Sequence, residues 1–229
     1  MEELLGRNLD DVRERMAAAA ERAGRRPDQV LLVAVVKTVG PEVVRALQAL
    51  GVTDVGENRV QEARRKLEAL GGNLGLHWHM IGHLQTNKVR HALRLFEMVH
   101  SVDSVRLAEA LDQRAEREGR AVPVLIQCNT SGEETKFGVG PAQLRKLLDA
   151  TMPLEHVRVK GLMTMAPFVD DPETVRPCFA ALRELAERAR AATGLPLPHL
   201  SMGMTQDFEV AIEEGATMVR IGSALFQGI

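Results

Sequence analysis

The residue in this chain whose position most clearly indicates a chemical role is Lys37, which follows an apolar run rich in valine. The run, residues 30–36, has the composition of a parallel strand that is buried on both faces. A lysine at the end of such a strand loses hydration, and this desolvation favours the neutral amine, which is a nucleophile toward aldehydes. The alternative is a lysine that marks the exit of the strand into solvent and pairs with a carboxylate. The segment alone favours neither interpretation.

Two loops late in the chain have the composition of an anion-binding site. Residues 201–205, Ser-Met-Gly-Met-Thr, follow one predicted strand, and residues 221–224, Ile-Gly-Ser-Ala, lead from the next strand into a predicted short helix. Glycine lets the backbone approach an anion, and hydroxyl groups and a helix N-terminus add hydrogen-bond donors. Either loop alone is adequately explained as a turn. Their position on adjacent strands favours a phosphate site.

Arg220 lies inside the last predicted strand, where a permanently charged guanidinium needs a partner. That partner can be an aromatic nitrogen, a phosphate, or a carboxylate such as Glu57, Glu209 or Glu213. A lysine nucleophile, a phosphate cradle and an arginine donor at one place are suited to a phosphorylated aldehyde held as a Schiff base. Pyridoxal 5′-phosphate (PLP) is such a molecule.

The remaining reactive side chains carry weaker signals. His77, His79 and His83 are close in sequence, but no acidic residue or cysteine stands at a supporting spacing, so we predict no metal site. Cys128 has no indicated histidine partner and is expected to be a buried, unreactive thiol. Cys178 is far from it in sequence and without CxxC spacing, which indicates reduced thiols rather than a disulfide.

The elements that position these residues alternate between strands and helices. The predicted strands are 30–37, 54–58, 77–82, 98–102, 123–129, 157–165, 199–202 and 218–222. The predicted helices are 2–24, 41–50, 59–70, 85–95, 104–117, 141–150, 172–192 and 206–214. Eight such repeats predict an α/β fold, a single (β/α)₈ TIM barrel, with an open doubly wound sheet as the alternative. We expect one domain over residues 1–229, with the helix within residues 1–25 packed on the barrel.

Composition narrows the classes of partner. The chain has 229 residues and a formal net charge of −2, which is unlike a general binder of nucleic acid or anionic membranes. It has neither a run of about 20 apolar residues nor the N-terminal pattern of a signal peptide. We therefore expect a cytoplasmic protein without a membrane partner.

Several stretches, which follow one another in order along the chain, resemble a single protein family. The stretches are residues 33–38, 56–62, 79–88, 136–139, 161–165, 200–207 and 215–226. With these stretches the sequence resembles the pyridoxal 5′-phosphate homeostasis proteins, the YggS/PROSC family, related in fold to the N-terminal barrel of bacterial alanine racemase. Phe137 departs from the pattern, since many relatives have a small residue there, and this puts the details of that loop in question.

The resemblance implies that the protein binds PLP without catalytic turnover and has no catalytic residues. It implies a Schiff base on Lys37 and an Arg220 side chain that faces the pyridine nitrogen. The other cofactor-binding residues that we expect are Asn58, Ser201, Met202, Thr205, Gly222 and Ser223. The protein would buffer PLP or deliver it to PLP-dependent apo-enzymes. We expect a monomer, and we hold Lys136 as a possible second attachment point.

Two enzymatic alternatives remain from the residues. The first is an amino-acid racemase of the alanine racemase fold, which would lack the tyrosine base because the sequence contains no tyrosine and ends soon after the last predicted strand. The second is a Schiff-base aldolase acting on a phosphorylated sugar, which needs a lysine and a phosphate cradle but no coenzyme. A bound yellow chromophore would exclude the aldolase.

Overall fold

Eight parallel strands form the centre of the fold in a computed structural model that describes residues 1–133 and 137–229. The strands close into a barrel in chain order, with the first strand paired to the last. They are β1 (Leu31–Val35), β2 (Asp54–Glu57), β3 (His77–Met80), β4 (Met98–Val102), β5 (Val122–Gln127), β6 (Val157–Met163), β7 (His199–Ser201) and β8 (Met218–Ile221). The predicted (β/α)₈ barrel is confirmed, and the open sheet is wrong.

Helices precede the barrel and connect its strands. They are α1 (Glu2–Arg22), α2 (Pro41–Ala49), α3 (Val60–Leu70), α4 (Val89–Ala92), α5 (Val105–Arg117), α6 (Pro141–Thr151), α7 (Arg176–Thr193) and α8 (Phe208–Glu213). Proline occupies the first position of α2 and α6, where the missing N–H removes no helical hydrogen bond. None of the helices in the described ranges is long and apolar enough to cross a membrane.

Two helical segments predicted from the sequence differ most from the observed elements. The segment 85–95 forms a 3₁₀ turn at Thr86–Lys88 and the four-residue helix α4. After β8 the predicted terminal helix is absent, and residues 223–228 form turns. Phe226 N donates to Gly222 O at 3.2 Å, which is one hydrogen bond of the α-helical type. The chain does not continue as a helix, and Gly228 has a left-handed conformation.

Most apolar side chains lie between the strands and the surrounding helices. Trp78, Phe179 and Phe208 are among the largest fully buried side chains of this layer. Inside the barrel a smaller apolar cluster contains Leu125 and Met163. The rest of the interior includes buried histidine, serine and arginine side chains, so it is polar beneath its C-terminal mouth.

Helix α1 packs beside α8 on the outside of the barrel. Its apolar face is buried, and Arg15 donates to both carboxylate oxygens of Glu209 at 3.2 and 3.1 Å. The amide of Asn8 donates to the carbonyls of Leu225 and Gln227 in the C-terminal turns. The N-terminal helix is thereby joined to the segment that carries β8.

Candidate functional site

A cavity of about 540 Å³ opens at the C-terminal mouth of the barrel. Cavities of this size bind small molecules, and this end of a (β/α)₈ barrel carries the functional loops. Part of its wall is apolar, including Ile81 and Met165. The structure brings six of the predicted cofactor-binding residues to this wall: Lys37, Asn58, Thr205, Arg220, Gly222 and Ser223.

Lys37 lies on the rim of the cavity rather than in the barrel core. Strand β1 ends at Val35, and Lys37 belongs to the turn that follows, with an exposed side chain. Of the two interpretations that the sequence left open, the desolvated lysine is therefore wrong, because the strand stops before it reaches this residue. An amine with this exposure keeps its hydration, so its reactivity depends on how an aldehyde is held beside it.

A buried ion pair fixes the backbone next to Lys37. The Nζ atom of Lys66 donates to the carbonyl of Val36 at 2.7 Å and to Oε2 of Glu57 at 2.6 Å. The other carboxylate oxygen of Glu57 accepts from the backbone N–H of Asn58 at 2.7 Å. The pair thus joins the ends of β1 and β2 and positions two residues of the cavity wall.

The loop after β7 has a shape that only glycine permits. Gly203 has φ +94°, and a Cβ atom there would lie 2.7 Å from the Cβ of Ala211 and 2.9 Å from the Cα of Phe208. Just beyond it, Asp207 Oδ1 accepts from the N–H of Met204 at 2.6 Å. This tight turn holds the loop against α8.

The loops after β7 and β8 are connected by a hydrogen bond. Thr205 Oγ1 accepts from the N–H of Ala224 at 3.3 Å. Gly222 packs on β1, since a Cβ atom there would lie 3.2 Å from the carbonyl oxygen of Val35. The predicted anion site on these loops therefore consists of two joined turns with Ser223 between them, instead of a helix N-terminus.

Arg220 extends from β8 beneath the cavity and is buried. Its Nη1 atom donates to Ser201 Oγ at 2.6 Å, and its Nη2 atom donates to the carbonyl of Thr164 at 2.9 Å. Burial lowers the pKa of Arg220 to about 10, with the negative charge of Asp207 acting in the opposite direction. The guanidinium is therefore charged at neutral pH.

The carboxylates considered as partners for Arg220 have other partners. Glu57 pairs with Lys66, Glu209 with Arg15, and Glu213 with two arginines, Arg22 and Arg176. An ion pair between Arg220 and any of these three carboxylates is therefore not what the structure shows. Arg220 is part of the cavity wall.

Two predicted site residues are not brought to the cavity wall. The side chain of Ser201 is fully buried, and its hydroxyl is occupied by Arg220 and by His100 Nδ1 at 3.0 Å. Met202 is also fully buried and belongs to the main hydrophobic core. Ser201 is the last residue of β7, and its side chain points into the barrel instead of reaching the loop. There its hydroxyl contacts Arg220 rather than the predicted phosphate site.

The sequence analysis missed several residues at the mouth. Asp207 lines the cavity, and burial raises the pKa of its carboxyl while the Met204 N–H and Arg220 oppose the rise. His83 stacks on Phe137 with ring centroids 4.2 Å apart, and Phe168 completes an exposed aromatic rim. Asp207 and His83 fall within the family-like stretches, but nothing in their spacing indicated a role.

The three neighbouring histidines separate in the structure. His79 Nε2 lies 2.8 Å from Asp54 Oδ1 inside the barrel, whereas His83 Nδ1 lies 3.6 Å from Asp103 Oδ2 at the mouth. Over residues 1–133 and 137–229, no group of three or more possible ligands is placed to hold a metal ion. Lys136, the predicted second attachment point, lies outside the described residues.

We predict that Cys128 will resist alkylation in the folded protein. Its thiol is fully buried, and burial raises its pKa to about 12. At pH 8 only about one molecule in 10⁴ would then carry the reactive thiolate. Peptide mapping after treatment with iodoacetamide, with and without denaturant, measures this. Rapid modification of Cys128 in the native protein would contradict it.

The sequence of this chain is similar to those of known proteins. Residues 8–228 match the family model described as alanine racemase, N-terminal domain. The pyridoxal phosphate homeostasis protein of Aquifex aeolicus is 49% identical over 218 residues, which are 95% of each chain. Similarity of this extent covers both the barrel and the loops that line its mouth.

Solved structures also resemble the chain. PipY of Synechococcus elongatus PCC7942, determined with PLP bound, has a TM-score of 0.85 and 36% identity, covering 97% of this chain and 99% of PipY. An alanine racemase of Clostridium difficile has a TM-score of 0.76 and 16% identity, and 56% of its length is covered. The second likeness concerns the fold alone.

Proposed function

The chain belongs to the family of the pyridoxal phosphate homeostasis proteins, and from this premise we propose that it binds PLP at the barrel mouth and buffers or delivers it within the cell. One observation carries the proposal: a single cavity contains Lys37, the buried Arg220 and the two joined turns after β7 and β8. In PLP, the aldehyde would match Lys37, the ring nitrogen would match Arg220, and the phosphate would match the two turns.

We assign the residues as follows. Lys37 would hold the PLP aldehyde through its Nζ atom as a Schiff base, with the loss of water. Thr205, Gly222 and Ser223 hold the phosphate with hydroxyl and backbone donors, which glycine makes accessible. Arg220 donates to the ring nitrogen, and Asn58 lines the cavity. When it is bound, PLP supplies an electron-withdrawing ring to an attached amine.

We propose a carrier rather than an enzyme. The relatives are named as homeostasis proteins. The sequence contains no tyrosine, the residue that resemblance to the racemases would require as a second base. The likeness to alanine racemase at 16% identity supports only the shared barrel. Racemisation is therefore the weaker function for this cavity.

The wider setting of the protein follows from the same proposal. We propose one PLP-binding domain over residues 1–229 that acts as a monomer in the cytoplasm. PLP-dependent apo-enzymes are the recipients, and the net charge of −2 offers no support for nucleic acid. The buried thiol of Cys128 is suited to a reducing compartment.

The test is an absorption spectrum of the purified protein soaked with PLP, before and after borohydride, followed by peptide mapping. We expect a chromophore that borohydride bleaches and a phosphopyridoxyl group on Lys37. Pyridoxine 5′-phosphate, which lacks the aldehyde, serves as the control ligand and should leave no adduct. A protein that stays colourless after soaking contradicts the proposal.

A further inference from the structure

A line of hydrogen-bonded polar side chains crosses the barrel interior beneath the cavity. Asp54 Oδ1 lies 2.8 Å from His79 Nε2, and His79 Nδ1 lies 2.9 Å from His100 Nε2. His100 Nδ1 lies 3.0 Å from Ser201 Oγ, which accepts from Arg220 at 2.6 Å. The line therefore connects β2, at the opposite end of the barrel, to the arginine under the cavity.

Every member of this interior line is buried. Asp54 and His79 are 5% and 4% exposed, His100 and Ser201 are fully buried, and Arg220 is 4% exposed. Burial of so many polar groups costs free energy unless each finds a partner. An apolar barrel interior would avoid that cost. Because the line has this cost, we looked for a function that its side chains perform together.

The two ends of the line favour one direction for its hydrogen bonds, because Arg220 can only donate and the carboxylate of Asp54 can only accept. Arginine can only donate, so Ser201 Oγ accepts from Arg220, and we assign the proton of Ser201 to the hydrogen bond with His100 Nδ1. His100 then carries its proton on Nε2 and donates to His79 Nδ1. His79 in turn donates from Nε2 to the carboxylate of Asp54. All donors then point from the guanidinium to the carboxylate.

The surroundings favour this charge arrangement. Burial, followed by the electrostatic effect of the neighbouring His79, Arg220 and His199, keeps the pKa of His100 well below its usual range. Burial alone would raise the pKa of Asp54, but its contacts with His79, Thr53 and His77 bring it below the usual value. The other charged groups that face the line are Asp207, near Arg220, and Lys160, near His199.

We propose that His79 and His100 are positioning residues that orient Arg220 toward the ring nitrogen of PLP. Through Ser201 the imidazoles anchor one N–H of the guanidinium, and the Thr164 carbonyl anchors another. The remaining N–H groups of Arg220 are thereby directed to the cavity. The charge of Asp54 polarises the line from the far end. This inference rests on the proposed function, because it deepens the role of Arg220 in the same cavity.

The first experiment uses the ligand-free protein. Nitrogen-15 NMR of histidine-labelled protein distinguishes the two neutral tautomers and the charged imidazole. We expect His79 and His100 to carry a proton on Nε2, and we expect His100 to stay neutral between about pH 6 and pH 8. A proton on Nδ1 of His100, or a charged His100 in this range, would overturn the proposed direction of the line.

The second experiment uses the variants His100→Leu, Ser201→Ala and their combination. We expect each single change to raise the Kd for PLP by about tenfold, as for the loss of a hydrogen bond to a charged group. The double variant should match the single ones, because both changes break the same line. With PLP labelled at the ring nitrogen, the nitrogen-15 shift should move away from its hydrogen-bonded value in all three variants.

Ser101→Ala is the matched control. Ser101 neighbours His100 on β4, is fully buried, and its hydroxyl has no hydrogen-bond partner within the described part of the chain. It should leave the Kd and the nitrogen-15 shift unchanged. Should His100→Leu fail to fold, Ser201→Ala and the tautomer measurement decide the question.

The outcomes separate this inference from the proposed function. Wild-type protein that binds no PLP refutes the function itself. Wild-type protein that binds PLP, with His100→Leu and Ser201→Ala indistinguishable from Ser101→Ala, refutes only the positioning role of the histidines. Additive losses in the double variant also refute it, because independent effects would mean that the two residues do not act through one line.

Discussion

Replacement of Lys37 by alanine will remove the borohydride-stable attachment of PLP, from one per chain to about none. Lys37 is the one lysine among the described residues of the cavity wall. Without its amine the aldehyde has no partner there. The phosphate loops and Arg220 remain, so weaker and reversible binding of PLP should persist. Intact-mass measurement after reduction reports the attachment, and dialysis reports the reversible part.

Two further variants sharpen this result. Lys37→Arg keeps a positive charge on the rim but cannot form a Schiff base with PLP, so it should behave like Lys37→Ala in the mass measurement. Lys146→Ala removes an exposed lysine of α6 away from the cavity and should retain full attachment. Full attachment in Lys37→Ala would show that another amine is the site, and peptide mapping would then test Lys136.

The barrel could be predicted because its strands and helices have distinct periodicities. Strand β4 matches its predicted bounds, and the apolar run that predicted the first strand contains β1, which pairs with β8. Proline at the start of α2 and α6 fixed two helix boundaries. Where no residue of this kind marked the helix boundary, as in residues 85–95, the predicted helix was too long.

Side-chain roles were harder to predict because they depend on where each strand ends. For Lys37 the sequence left burial and exposure both open, and β1 ends two residues earlier and places it on the rim. Ser201 was assigned to phosphate from its loop composition. The pairing of Ser201 with Met218 puts it beside Arg220 inside the barrel, a contact between residues on two strands that no local pattern contains.

The polar line inside the barrel did leave a signal in the sequence. Asp54, His79, His100, Ser201 and Arg220 all stand within predicted strands, where a polar residue in an otherwise apolar segment needs a partner. Their mutual contacts follow from barrel closure, which brings β2, β3, β4, β7 and β8 around one interior. The five residues were visible separately, and only the fold shows that they partner one another.

Disruption of the buried pair between Glu57 and Lys66 should have the largest effect on stability. Glu57→Gln leaves the ammonium of Lys66 buried with only the Val36 carbonyl as a strong partner. Loss of one partner of a buried ion pair typically costs about 3–5 kcal/mol. We expect a decrease of this size in the free energy of unfolding, measured by urea denaturation.

The control for this prediction is the exposed pair between Arg145 and Asp149 on α6, whose side chains are 57% and 48% exposed. Asp149→Asn should change the free energy of unfolding by less than about 1 kcal/mol. The double variant Glu57→Leu/Lys66→Met, which removes both charges, should be more stable than Glu57→Gln. A Glu57→Gln protein as stable as Asp149→Asn would show that the pair does not hold the ends of β1 and β2, and Lys37 would then need another anchor.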